Sequence, residues 1–372
     1  MLTRRARSPQ PTDTALRDAV GAVADPEIHR SLAELGMLRE VAVDRGGRVR
    51  VEIALTTAGC PLQERLSADI AAASATVDGV RDLEIAFTTM NERERMRVAQ
   101  QVRDDTAGQL GERTRIYAVA SGKGGVGKST VAANLAVALA RSGKRVGLLD
   151  ADVWGYSVPQ LFGVRRSPVA LGGVMLPVDA HGVRLMSVGF LVDDGEPVVW
   201  RGPMLHKALE QFISDVAWGE LDVLLIDLPP GTGDITLSLL ELVPRAALLA
   251  VTTPQPAART VASRVGRMAR DMRMPVAGVV ENMSTLVCGN CGEQTALFGS
   301  GGGAQLAGEL DVELLGQIPL DAALRAAGDA GEPVVARDPT APSAVALHDV
   351  ADRLPVVRRS IAGLALPLSV VS

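Results

Sequence analysis

What the chain has little of narrows it first. Its 372 residues include only 3 Trp, 2 Tyr and 5 Phe, so an interior drawn from 47% hydrophobic residues must be built mainly from Ala, Val and Leu. Three cysteines cannot form a disulfide framework, and a reducing, cytoplasmic setting is the expectation. No uninterrupted apolar run approaches the ~18 residues of a membrane span. Arg4, Arg5 and Arg7 are followed by no apolar signal core, so no signal peptide is expected. Positive charge is not in excess: the net charge is −5 and the pI near 5.5. That balance argues against nucleic acid or anionic lipid as a general partner, without excluding a local basic patch. Internal repeats and low-complexity tracts are also absent, and the length favours about two domains at ~150 residues each.

What is present centres on residues 116–130, an apolar run that breaks into glycine and lysine. Gly122, Gly127, Lys128 and Ser129 match the phosphate-loop pattern G-x-x-x-x-G-K-[ST]. Gly124, Gly125 and Val126 complete a loop whose backbone N–H groups can turn inward on a phosphate. The helix that follows, opening on Thr130 and its neighbours, presents its positive end there. Lys128 would pair with the β/γ-phosphate oxygens and the Ser129 hydroxyl would join a Mg²⁺ shell. The same letters satisfy the weaker dinucleotide pattern Gly122-x-Gly124-x-x-Gly127. A dinucleotide turn has no use for a lysine and a hydroxyl directly after its last glycine, whereas a triphosphate with Mg²⁺ needs both. Lys123 adds a second lysine inside the loop. In the deviant phosphate-loop ATPases, which this loop resembles, that lysine reaches across a dimer interface to the partner's nucleotide.

Residues 14–90 read as a small α+β unit with helical spacing at 14–23 and 62–74 and strands near 41–43, 49–55 and 83–87. Cys60 stands just before a helix, where unsatisfied N–H groups can lower a thiol's pKa; it can equally be a small packed residue at a turn. Residues 91–113 are charge-rich without a good apolar face and read as a solvated helix plus linker.

From residue 114 to 354, strand-length apolar runs at 116–120, 146–150, 221–228, 246–251, 276–280 and 314–318 alternate with helices, including 129–141 and 204–216. Such alternation predicts an α/β fold with a mostly parallel, doubly wound sheet and ligands at the carboxyl ends of its strands. Acidic residues stand at those ends. In Asp150-Ala-Asp152, Asp152 is the candidate for positioning the attacking water, with a plain turn aspartate as the alternative; Asp150 ends the strand and can support the loop. Asp227 follows four apolar residues as a Walker-B aspartate does and would hold Mg²⁺ directly or through water. Its Pro-Pro-Gly-Thr-Gly tail has the freedom to move when the γ-phosphate leaves. After the 276–280 run, Cys288-Gly-Asn-Cys291 has spacing that fits one metal or cluster, a redox pair or a plain turn.

Taken together, residues 121–130, Asp150-Ala-Asp152-Val-Trp-Gly155, Arg201-Gly-Pro-Met204, Trp218-Gly-Glu-Leu-Asp222, residues 227–234, Thr253-Pro-Gln255 and Glu281-Asn-Met-Ser284 with Cys288-x-x-Cys291 resemble the Mrp/ApbC-type iron–sulfur cluster carrier ATPases. The likeness covers about residues 113–345. Asp25-Pro-Glu27, Leu35-Gly-Met37-Leu38 and Thr57-Ala-Gly-Cys60-Pro61 resemble the metal–sulfur cluster assembly-type domain. The resemblance implies a homodimer that binds and hydrolyses ATP, takes a labile cluster from a scaffold protein and hands it to apo-protein clients. It further implies that Asn282 contacts the adenine and that Cys288 and Cys291 carry the cluster, one 4Fe–4S group per dimer by thiolate count. Trp154 and Tyr156 depart from the family's usual residues, a matter of local packing.

Three other readings fit the motifs less well. MinD-type relatives dock on membranes through a C-terminal amphipathic helix, but in residues 355–372 Pro367 interrupts any long helix. ParA-like nucleoid positioning, with the cysteines as a structural zinc site, would need a basic surface. A nitrogenase-iron-protein-like reductase takes its ligands from separated single cysteines, not an adjacent pair.

Overall fold

The computed structural model describes residues 13–44, 46–57, 62–106, 110–111, 113–153, 155–191, 202–231, 233–288 and 291–356. The readings made for Arg4, Arg5, Arg7, Cys60, Trp154, Arg201, Thr232, Gly289, Asn290 and residues 357–372 lie outside them. The chain divides into two compact units, one of residues 1–107 with 169–176 and one of residues 108–168 with 177–372.

The first unit runs α1 (Asp13–Gly21), α2 (Leu32–Leu35), β1 (Leu38–Val43), β2 (Arg48–Leu55), α3 (Gln63–Ala75), β3 (Asp82–Thr89) and α4 (Glu92–Thr106). The strands make one sheet, β2 antiparallel to β1 and parallel to β3. Pairs at i and i+4 set the buried helix faces, Leu16 with Val20 on α1 and Leu66 with Ile70 on α3. The helix read as solvated does have an inner face: Val98, Ala99 and Val102 of α4 are buried. Their spacing is helical, but interleaved charges mask it in the sequence.

The second unit opens with β4 (Arg115–Ser121), α5 (Lys128–Arg141), β5 (Val146–Asp150) and α6 (Val158–Leu161). Next come β6 (Val169–Leu171) and β7 (Val174–Leu176), an antiparallel hairpin that belongs with α4 in the first unit. There Arg103 of α4 donates to the Gly172 carbonyl at 3.1 Å. The second unit resumes with β8 (Val178–Ala180), β9 (Val183–Ser187), α7 (Gly202–Ser214), β10 (Val223–Asp227), α8 (Asp234–Leu242), β11 (Ala247–Thr252) and α9 (Pro256–Asp271). It closes with β12 (Val276–Val287), β13 (Gln294–Thr295), α10 (Gly302–Glu309), β14 (Leu314–Leu320), α11 (Ala322–Ala330), α12 (Val334–Arg337) and α13 (Pro342–Asp352).

Its sheet has the order β13-β12-β11-β4-β10-β5-β9-β8, with β14 also on β12. Only β8 and β13 pair antiparallel, so the sheet is mostly parallel, as the alternating runs predict. All six expected runs are strands; β8, β9 and β13 are additions, and β12 extends seven residues past its expected end.

Small residues let this sheet be covered closely. Val131, Ala132, Ala133, Leu135, Ala136, Val137, Ala138 and Leu139 of α5 are all buried, so the helix is apolar nearly all round. Each fully buried Val or Leu contributes roughly 1.5–3 kcal/mol. Among the described residues Tyr117 is the largest fully buried side chain, and its hydroxyl donates to the Pro355 carbonyl at 2.6 Å. Among the described residues no helix is long and apolar enough to cross a membrane.

Candidate functional site

Parallel strands deliver their carboxyl ends to one edge, and register decides which residues meet there. Asp227 at the end of β10 lies level with Asp150 at the end of β5. Ser121 at the end of β4 lies level with Val251 of β11. The turn from β4 into α5 is the phosphate loop. Gly125 and Gly127 sit at φ +81° and +80°, a region side chains rarely adopt, and Gly127 precedes the first turn of α5. Gly122 is needed for a different reason. A Cβ there would lie 2.2 Å from the Ala262 nitrogen and 2.4 Å from the Val261 carbonyl carbon, both backbone atoms of α9.

That contrast gives a stability prediction. Gly122→Ala should cost about 3 kcal/mol, the upper end for overpacking, because neither backbone can yield. Gly124→Ala, whose added methyl meets nothing within 4 Å, should be near neutral. Denaturant midpoints without nucleotide, at constant slope, measure both. Equal destabilisation of the two variants would refute the close-approach argument.

Lys128 is buried at the head of α5. Its Nζ donates to Asp227 Oδ1 at 2.7 Å and to the Ser129 hydroxyl at 3.3 Å, and lies 3.9 Å from Asp152 Oδ2. The lysine and two of the acids that the sequence singles out therefore converge on one point. Burial pushes the Asp227 carboxyl up, against the Lys128 charge and the Lys128 and Ser129 hydrogen bonds that pull it down. Burial and then repulsion from Asp227 likewise push Asp150 up. Asp150 has a supporting role in this geometry: it accepts from the Ser187 hydroxyl at 3.0 Å and from the backbone N–H of Asp152 and of Val158. Thus Ser187, on a strand not read from the sequence, steadies the acid beneath Asp152.

One oxygen stands out. Asp227 Oδ2 is buried and has no hydrogen-bond partner. A buried carboxylate oxygen left bare is costly unless something else satisfies it. Beside the Ser129 hydroxyl, it is the donor set a hard, oxygen-seeking divalent cation requires. The residues present fit Mg²⁺.

Two adjoining cavities complete the site. One of about 440 Å³ is lined by residues 123–130 of the loop together with Asp152 and Pro230. The other, about 370 Å³, shares Gly127, Thr130 and Ser157 with it and is walled by Asn282, Pro319 and Leu324. The first has the N–H groups and lysine for phosphates; the second has an apolar wall and an amide, suited to a flat heterocycle. Asn282 is 3% exposed and donates through Nδ2 to the Val126 carbonyl at 2.9 Å, so it braces the loop as well as lining the second cavity. The Pro319–Leu324 wall is not read from the sequence, though a Pro directly after the apolar run at 314–318 is a signal for it. Lys123, which also lines the first cavity, donates to Gln255 Oε1 at 3.1 Å. Ser121 and Gly231 are tied, the Gly231 N–H donating to the Ser121 carbonyl, so the Pro-Pro-Gly loop after Asp227 is anchored to the strand end that opens the phosphate loop.

Cys288 and Cys291 lie elsewhere, on the tip of a hairpin. β12 runs past Asn282 to Val287 and returns through β13, with Leu286 opposite Thr295 and Val287 opposite Gln294. The Cys288 N–H donates to the Glu293 carbonyl and the Gly292 N–H to the Cys288 carbonyl, closing the turn. Both cysteines are exposed. The strand that holds Asn282 thus leads directly into Cys288, six residues on.

Known proteins place this arrangement. The profile of the NUBPL iron-transfer P-loop NTPase family matches residues 112–355, and that of an iron–sulfur cluster assembly protein matches residues 13–87. An iron–sulfur cluster carrier protein of Mycobacterium bovis is 46% identical over 368 residues, 96% of each chain. One from Synechocystis is 43% identical over 349 residues, 92% of this chain and 97% of its own. Among solved structures, a nucleotide-binding protein of Archaeoglobus fulgidus in complex with ADP aligns with a TM-score of 0.57 at 35% identity, covering 70% of this chain and 99% of its own. With its phosphate loop, its paired aspartates and a family match over most of its length, the chain belongs to the NUBPL iron-transfer P-loop NTPases.

Proposed function

We propose that this protein is an ATP-dependent carrier of iron–sulfur clusters, of the 4Fe–4S type, that acts as a homodimer and delivers its cargo to apo-proteins. The observation that carries this reading is one strand, β12, with Asn282 at the nucleotide cavity and an exposed Cys288/Cys291 pair at its end. Four thiolates hold a cubane cluster and one copy of this hairpin offers two, so two hairpins meeting at a two-fold axis supply the set. Exposed thiols on a two-strand tip suit release of the cluster better than permanent retention.

In the nucleotide site, residues 122–130 receive the phosphates, Lys128 meets the developing charge on the γ-phosphate, and Asp152 orients the attacking water. Asn282 and the Pro319–Leu324 wall take the adenine. Ser129 and Asp227 would hold Mg²⁺, which would supply positive charge to offset that of the phosphates. Lys123, resting on Gln255 within its own chain, is the residue that completes the site of a second copy. A cluster held by thiolates calls for a reducing compartment, and the cytoplasm is the proposed setting. The partners are a cluster scaffold and apo-protein clients.

The test is anaerobic reconstitution with iron and sulfide. About four irons and four sulfides per dimer are expected. Stoichiometric zinc that iron cannot displace would replace this reading with a structural Cys₄ site, which uses the same ligands.

A further inference from the structure

Glu281 is buried, 1% exposed, and neither the nucleotide chemistry nor the cluster uses it. Its carboxylate accepts two hydrogen bonds from distant parts of the chain. Gly303 donates its backbone N–H to Oε2 at 2.5 Å, and Gln317 donates its side-chain amide to Oε1 at 2.6 Å. Gly303 lies in the first turn of α10, where N–H groups lack helical partners and a carboxylate is favoured. The approach is close enough that a Cβ on Gly303 would lie 2.6 Å from the Glu281 Cβ.

The position of that contact matters. The cysteine hairpin is built on the far end of β12 and on β13, and the chain returning from it enters α10. Its outgoing end is fixed by Asn282, bonded to the phosphate-loop carbonyl of Val126. Its returning end is fixed by Glu281, bonded to Gly303. Two adjacent side chains thus hold both ends of the segment that carries the thiols. Between them and the hairpin the strand is irregular. Met283 has φ +56°, rare for a side chain of this kind, and the pairing of β12 with β14 slips between Asn282 and Leu286. Met283 also lines the cavity that Asn282 walls.

We propose that Glu281 is a positioning residue that transmits nucleotide occupancy to the cysteine hairpin. A ligand that shifts Asn282 or Met283 moves the backbone of Glu281, and the carboxylate carries that movement to α10 and so to the returning limb of the hairpin. The inference rests on the carrier reading for its purpose, but its structural half can be measured without a cluster.

Glu281→Leu is the informative change. A leucine of similar size offers no acceptor, so both ties break; a Gln here could keep both if the Gln317 amide turned its own oxygen inward. Amide hydrogen exchange over residues 284–303 should be followed with and without Mg²⁺ and a non-hydrolysable ATP analogue. The wild type is expected to slow about fivefold or more in this segment with nucleotide, the low end of a site-to-site coupling. Glu281→Leu should still bind the analogue but lose that response. On reconstituted protein, the rate of iron removal by 2,2′-bipyridyl should follow the same pattern at unchanged iron content. Should Glu281→Leu fail to fold, Gln317→Ala removes one tie, leaves the Gly303 bond in place, and should reduce the response. A nucleotide response absent from the wild type, or intact in the variants, overturns the proposal. Failure to bind iron at all would instead strike the carrier reading, with the exchange result still deciding this one.

Discussion

Lys128→Ala should lower ATP hydrolysis by about 100-fold or more, the usual cost of removing one preorganised partner of transition-state charge. The size follows from where Lys128 sits. Its Nζ is buried among Asp227, Ser129 and Asp152, so water cannot replace it as the charge on the γ-phosphate grows. The variant also strands the buried Asp227 without its only ion-pair partner among the described residues, so some loss of stability accompanies the loss of rate. Asp152→Asn separates the two effects. Its carboxylate is 3.9 Å from Lys128 and accepts the Gly155 N–H at 3.1 Å, so the amide keeps the loop while losing the charge that orients water. It should bind ATP close to normally and hydrolyse it poorly. Single-turnover hydrolysis with a separate binding titration distinguishes the cases; wild-type turnover by Lys128→Ala would remove the phosphate-loop assignment.

The second large effect concerns the thiols. Cys288→Ala and Cys291→Ala should each abolish cluster binding on reconstitution, because in the proposed dimer either change removes two of the four thiolates of a cubane site. Cys60→Ala should retain about four irons per dimer, since the two hairpins already complete the ligand count. ATP hydrolysis should survive in all three, as the hairpin tip contributes nothing to either nucleotide cavity. Iron and labile sulfide per dimer, with a turnover assay on the same samples, check this. A cluster retained by the Cys288→Ala/Cys291→Ala double variant would show that other ligands hold it.

The nucleotide site was legible because its chemistry is local. Gly122, Gly127, Lys128 and Ser129 fall within eight residues, and Asp150, Asp152 and Asp227 each end or follow an apolar run that only a parallel sheet would place there. The strands themselves were legible as runs, since strands buried on both faces need no alternation. What stayed hidden depends on contacts between distant residues. Glu281 meets Gly303 and Gln317 across 22 and 36 positions, and Lys123 meets Gln255 across 132. No spacing rule reaches that far. β9 escaped notice because Arg184 interrupts a five-residue strand, although that arginine donates to the Trp218 carbonyl. The inner face of α4 was hidden by composition: three small apolar residues among arginines and acids bury well only because a helix gathers them on one side. The C-x-x-C spacing left metal, redox and plain turn open, and the geometry adds what spacing lacks, an exposed hairpin tip continuous with the nucleotide strand.

The most direct measurement of the carrier account is transfer. Protein reconstituted anaerobically with iron and sulfide is mixed with an apo-enzyme that requires a 4Fe–4S cluster, in the presence of a ferrous chelator that captures free iron. The account predicts that the acceptor gains activity in proportion to the iron lost from this protein, up to one cluster per dimer, with Cys288→Ala inert as donor. An acceptor that stays inactive while the protein keeps its iron, or that gains activity only when the chelator is omitted, would contradict it.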